Sequence, residues 1–130
     1  MASDRPLLSV VDDDESVREA LPDLLRELGF DVEAFASAEE FLAAGVVDRI
    51  RCLILDIAMP GMSGPELQRH LSERSKIIPI VFITAHADQN VRALMLEQDA
   101  VDCLFKPFSE EALLAAIHVA LQRPRSASTA

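Results

Sequence analysis

The stretch CLILDIAMPGMSGPEL, residues 52–67, decides the fold. Cys52 to Leu55 is a continuous apolar run that stops at a lone acid, Asp56, which is how a strand covered on both faces of a parallel sheet reads. Ile57 to Gly64 is rich in turn formers. Pro65 then suits the first position of a helix ending near Ser75, since a helix start leaves the missing N–H unpaired anyway.

The same alternation extends in both directions. Upstream, Leu7 to Val11 reads as a buried strand ending at Asp12-Asp13-Asp14-Glu15, and Val17, Leu21, Leu24, Leu25 and Leu28 then follow the spacing of one helix face. Gly29 supplies a left-handed cap, and Pro22 is expected to distort that helix locally. Asp31 to Phe35 alternates as a short strand; Ser37 and Glu40 have capping-box spacing before a short helix that ends at Gly45. Downstream come a strand at Ile80 to Ile83 with Thr84 at its end, a helix from about Asp88 to Glu97, and a strand at Asp102 to Phe105. Ser109 caps a last helix, Glu110 to about Gln122. Strands alternating with helices across short loops predict an α/β fold, a doubly wound five-stranded parallel sheet with five helices on its two faces.

Composition bounds the rest. The chain has 130 residues, half of them apolar, so residues 1–122 are read as one domain and 123–130, rich in Pro, Arg, Ser, Ala and Thr, as a linker-like tail. A net charge of −10 with scattered Lys and Arg argues against nucleic-acid binding by this chain alone. No apolar run approaches the ~20 residues that cross a bilayer, and Met1 to Pro6 lacks the features of a secretion signal, so a cytoplasmic location is expected. Cys52 and Cys103 sit in apolar runs without metal-binding spacing and are read as buried, reduced thiols.

In an open α/β sheet the ligand site lies at the carboxyl ends of the strands, and Asp12, Asp13, Asp56, Thr84 and Lys106 all stand at such ends. Singly, each has an ordinary explanation: acids favour a helix N-terminus, an aspartate favours a strand-end turn, a lysine before proline is a common surface feature. Together they place an acid cluster, a lone acid, a hydroxyl and a cation on one rim. Carboxylates gathered there repel one another, which calls for a compensating cation; oxygen ligands point to Mg²⁺, which takes about six oxygens and keeps several waters.

The segments VVDDDESVREAL (10–21), LILDIAMPGMSGPEL (53–67), IVFITAHAD (80–88) and FKPF (105–108) resemble the signature segments of two-component response-regulator receivers, and in style those of the nitrogen-fixation and nitrate-response regulator class. The resemblance covers about residues 6 to 122 and implies a flavodoxin-like strand order 2-1-3-4-5. It implies that Asp56 is phosphorylated and that Asp12, Asp13, Asp56 and the Ala58 carbonyl form the Mg²⁺ site. It makes Thr84 the switch hydroxyl and Lys106 the phosphate-binding lysine, with a cis Lys106-Pro107 peptide. The implied partners are a sensor histidine kinase as phosphoryl donor, a DNA-binding output domain outside this chain for transcription control, and a second copy in a phosphorylation-dependent homodimer. Such a domain catalyses its own phosphorylation and dephosphorylation without being a conventional turnover enzyme.

Two departures stand out. Asp99 occupies a place where the family has glycine, which bears on the turn into the fifth strand, and Cys103 occupies the place of an aromatic switch residue. Since Cys103 and Phe105 share one strand face with Leu104 opposite, Phe105 or the helix from about Asp88 to Glu97 is expected to take over the readout. Ala58 and His86 hold positions that the resemblance links to the lifetime of the phosphorylated state. Three alternatives remain: a haloacid-dehalogenase-like phosphatase, which expects a second acid where Ala58 stands; a single-domain phosphorelay carrier; and a flavodoxin-like cofactor carrier, whose phosphate Asp12-Asp13-Asp14 would repel.

Overall fold

The computed structural model describes residues 5–85 and 89–123, without the side chains of 89 and 90; the expected helix start at Asp88, His86 and tail residues 124–130 lie outside the described residues. The strands are β1 (Leu7–Val11), β2 (Asp31–Phe35), β3 (Cys52–Asp56), β4 (Ile80–Thr84) and β5 (Asp102–Phe105). The helices are α1 (Glu15–Glu27), α2 (Ala38–Ala43), α3 (Gly64–Glu73), α4 (Gln89–Glu97) and α5 (Glu110–Gln122). All strand pairs are parallel, in the order β2-β1-β3-β4-β5 that the resemblance implied.

Alternation along each strand sorts the core into two layers. Leu53, Leu55, Phe82 and Cys103 face α2, α3 and α4, where Phe41, Leu67, Leu71 and Met95 cover them. Leu8, Val10, Ile54 and Ile83 face α1 and α5, covered by Leu21, Leu25, Leu113 and Ile117. Phe105 packs into the first layer with Cys103 and Leu104 into the second, as the strand period requires. Every residue of β3 and β4 is buried, which explains why these strands read as unbroken apolar runs.

Local signals set the helix ends, with two adjustments. Pro65 takes the second helical position, because Ser63 is the N-cap: its hydroxyl accepts from Glu66 N while the Glu66 carboxylate accepts from Ser63 N. That helix stops at Glu73, where Ser75 turns left-handed at φ 61°. Helix α1 runs unbroken through Pro22. After α4, Asp99 adopts φ 73°, and the turn closes with Asp99 N donating to Leu96 O and Ala100 N to Met95 O, so aspartate sustains the turn expected of glycine.

One buried group is mismatched to this core. Among the described residues, Ser9 Oγ is the buried side-chain polar atom without a hydrogen-bond partner, on a residue with no exposed surface. Removing it relieves a desolvation penalty, so Ser9→Ala should raise stability by about 1 kcal/mol, read as a higher urea midpoint at unchanged slope. A lower midpoint would show that the hydroxyl is satisfied in solution.

Candidate functional site

Adjacent parallel strands in register build the site. Val11 of β1 stands beside Leu55 of β3, so the next residues, Asp12 and Asp56, emerge side by side at the carboxyl ends of the two central strands. Asp12 is fully buried and Asp56 is 6% exposed. Asp13 follows on the exposed loop, and one carboxylate oxygen from each of the three lies within 4.8 Å of the others.

Asp12 is tied at both oxygens, Oδ1 accepting from Asp14 N at 2.9 Å and Oδ2 from Lys106 Nζ at 2.8 Å. Its carbonyl accepts from the Arg18 guanidinium at 3.1 Å, which pins the start of the β1–α1 turn. Lys106 follows β5 directly, held where Lys106 N donates to Thr84 O at 2.7 Å and where the Lys106-Pro107 peptide is cis. Thr84 is buried at the end of β4, one residue beyond Ile83, the register partner of Asp56. The acidic run after β1 therefore divides in two: Asp12 and Asp13 join the cluster, whereas Asp14 serves as the N-cap of α1, accepting from Ser16 N. For Asp14 the ordinary helix-start explanation is the right one.

The electrostatics follow from this crowding. Burial, then the adjacent Asp12 charge, pushes the Asp56 carboxyl from its usual value near 3.8 up to about 7, with Lys106 and the Ala58 N–H opposing the shift. Burial acts to lower the Lys106 ammonium, but its bond to Asp12 and the surrounding carboxylates leave it raised. The hydrogen bonds from Ser16 hold Asp14 below the usual range. Hard oxygen donors with one ammonium among three acids suit a divalent cation such as Mg²⁺, and the Ala58 carbonyl belongs to the same loop as its N–H on Asp56.

Gly64 is a residue that the sequence reading did not single out. A Cβ there would collide with the Asp56 carbonyl oxygen, so only glycine lets α3 begin against the backbone of β3. Its sole sequence signal is the glycine that ends the turn after Asp56.

The doubly wound sheet with an acid cluster at its switch point defines the receiver type of α/β protein. The chain belongs to the response regulator receiver domain family, whose model matches residues 8–118. It is 46% identical over 121 residues, 92% of its length, to the response regulator protein TodT of Pseudomonas putida. Among solved structures it is similar to the response regulator StyR, at a TM-score of 0.83 with 51% identity, covering 91% of this chain and 60% of that one. It is also similar to FixJ-N, at a TM-score of 0.81 with 36% identity, covering 92% and 95%. The chain spans about half the length of the curated relatives it matches. No helix among the described residues is long and apolar enough to cross a membrane.

Because the Asp56 carboxyl is raised, the folded chain binds a proton that the unfolded chain has already lost between about pH 4 and 7, and stability falls as pH rises through that window. In Mg²⁺-free buffer the urea midpoint should therefore drop from about pH 5 to about pH 8, and Asp56→Asn should flatten the slope. A midpoint that is level or rising in the parent chain would contradict the crowding.

Proposed function

We propose that this chain is a phospho-acceptor switch that takes a phosphoryl group from the phosphohistidine of a sensor kinase onto Asp56. The observation that carries the reading is the division of labour among the acids: Asp12 is engaged at both oxygens and Asp13 stands on the exposed loop. Asp56 is left as the strand-end carboxylate at the rim. Its oxygen attacks phosphorus in line; the P–N bond to the kinase imidazole breaks, the ring nitrogen regains a proton, and an acyl phosphate remains on Asp56. Lys106, now bound to Asp12, lies close enough to the cluster to turn its ammonium to the phosphoryl oxygens. Thr84 offers its hydroxyl from the neighbouring strand.

Asp13, Asp56 and the Ala58 carbonyl would hold Mg²⁺, with Asp12 helping through a water. When bound, the ion supplies charge neutralisation among the carboxylates and phosphoryl oxygens. A dehalogenase-like phosphatase needs a second acid two residues beyond its nucleophile, and Ala58 occupies that place.

The reading takes residues 1–122 as the receiver and 123–130 as a linker-like tail, and the relatives' greater length leaves room for an output domain outside the matched stretch. On this reading the whole protein acts in the cytoplasm, controls transcription and pairs with a second copy on phosphorylation. The readout runs through α4. Arg92 on that helix donates to the Asp102 carboxylate at 2.9 Å and to the Cys103 carbonyl at 3.3 Å, clasping β5 where the family's aromatic is missing. A two-state contact worth about 1 to 3 kcal/mol shifts populations roughly 5- to 150-fold, enough for a switch.

Incubation with acetyl phosphate and Mg²⁺ should add one phosphoryl group, mapped to Asp56 by mass spectrometry and absent from Asp56→Asn. A modified Asn variant would refute the assignment. Beryllium fluoride, an aspartyl-phosphate mimic, should shift NMR signals of Thr84, Phe105 and Met95 together. Movement of Thr84 with Phe105 and α4 at rest would exclude this route of output.

A further inference from the structure

The loop between β3 and α3 carries the Ala58 N–H that meets Asp56 and the Ala58 carbonyl read above as a metal ligand. Its base is tied to β4 and to itself. Ile57 N donates to Ile83 O on the neighbouring strand and Gly64 N to Ile57 O, closing the base of the loop. Ser63 N donates to Glu66 within its own helix. The crown is different: Met62 N donates to Glu39 Oε2 at 3.2 Å, and Glu39 belongs to α2.

The backbone under that carboxylate is shaped to receive it. Gly61 is left-handed at φ 75°, and a Cβ there would stand 3.0 Å from Glu39 Oε2 and 3.6 Å from Oε1, so the carboxylate lies directly over the glycine. Glu39 is not needed to cap its own helix. Ser37 Oγ accepts from Glu40 N, and the Glu40 carboxylate reaches back to Ala36 N. Two consecutive glutamates therefore have separate roles, Glu40 at the helix start and Glu39 at the loop.

We infer that Glu39 is a positioning residue: through its bond to Met62 N it fixes the crown of the β3–α3 loop and so presets the Ala58 backbone for the cation at Asp56. The inference rests on the reading of Asp12, Asp13, Asp56 and Ala58 as a Mg²⁺ site. Groups that orient a ligand without touching the metal commonly change affinity by about tenfold or more. Glu39 does this across a gap between elements, so the hold on the loop depends on where α2 sits.

Three variants of the full chain separate the bond from the charge. Glu39→Ala loses both, Glu39→Asp keeps the charge but falls short of the amide, and Glu39→Gln keeps an acceptor without the charge. Mg²⁺ titrations followed by amide NMR should give about tenfold weaker binding for the alanine and aspartate variants, with near-parent binding for glutamine. Hydrogen exchange at Met62 should quicken in the same two variants. Should the alanine variant not fold, the aspartate variant carries the comparison alone. Near-parent affinity in the aspartate variant, or a glutamine variant as weak as alanine, overturns the inference, the latter by showing that only charge matters. A parent chain that fails to bind Mg²⁺ overturns the underlying reading, and this inference with it.

Discussion

Three carboxylates share one rim of the sheet with a single lysine ammonium, and the rest of the molecule makes that crowding possible. Asp12 and Asp56 are side by side because β1 and β3 are parallel neighbours in register, and those strands are neighbours because the chain reverses its winding between them. Burial makes the repulsion count. In water the same acids would interact weakly, but here Asp12 has no exposed surface and the Asp56 carboxyl is driven to about 7. Lys106 offsets only part of this.

Such a cluster needs rigid support, and the two apolar layers supply it. Strand β3 is buried from end to end and β1 at all but its first residue, so neither aspartate can retreat by bending its strand. The loops above them carry side-chain contacts from neighbouring helices: Arg18 on the Asp12 carbonyl and Glu39 on Met62 N, while Arg92 holds β5 through two bonds. Rigid strands with lightly tied loops fit a domain that changes surface when charge is added at one point. With no aromatic at 103, the small Cys103, Phe105 and the Arg92 clasp join the site's far strand to α4.

The strands and the rim acids were legible in the sequence because each leaves a local mark, whereas the strand order followed only from the resemblance to receivers. Apolar runs, broken only by Ser9, gave β1, β3 and β4, and the acids and Lys106 stand at strand ends. What escaped depends on distant backbone. Gly64 reads as a turn glycine until the Asp56 carbonyl is seen beneath it. Glu40 is marked in the sequence by its capping-box spacing from Ser37, but Glu39 carries no such mark, and only the approach of the β3–α3 loop shows its contact. Pro65 moved by one position because the Ser63–Glu66 capping pair, an equally local signal, went unread. Asp99 shows that a family departure can leave geometry intact, since aspartate adopts the left-handed turn where the family has glycine.

The central claim is that the rim acids are crowded enough to hold a proton near neutrality and to exchange it for a divalent cation. Calorimetric titration with Mg²⁺ at about pH 6.5, in two buffers of different ionisation enthalpy, counts that proton directly. The account predicts a fractional proton released on binding by the parent chain and none by Asp56→Asn. Binding by the parent with no proton released, or no binding at all, would contradict it.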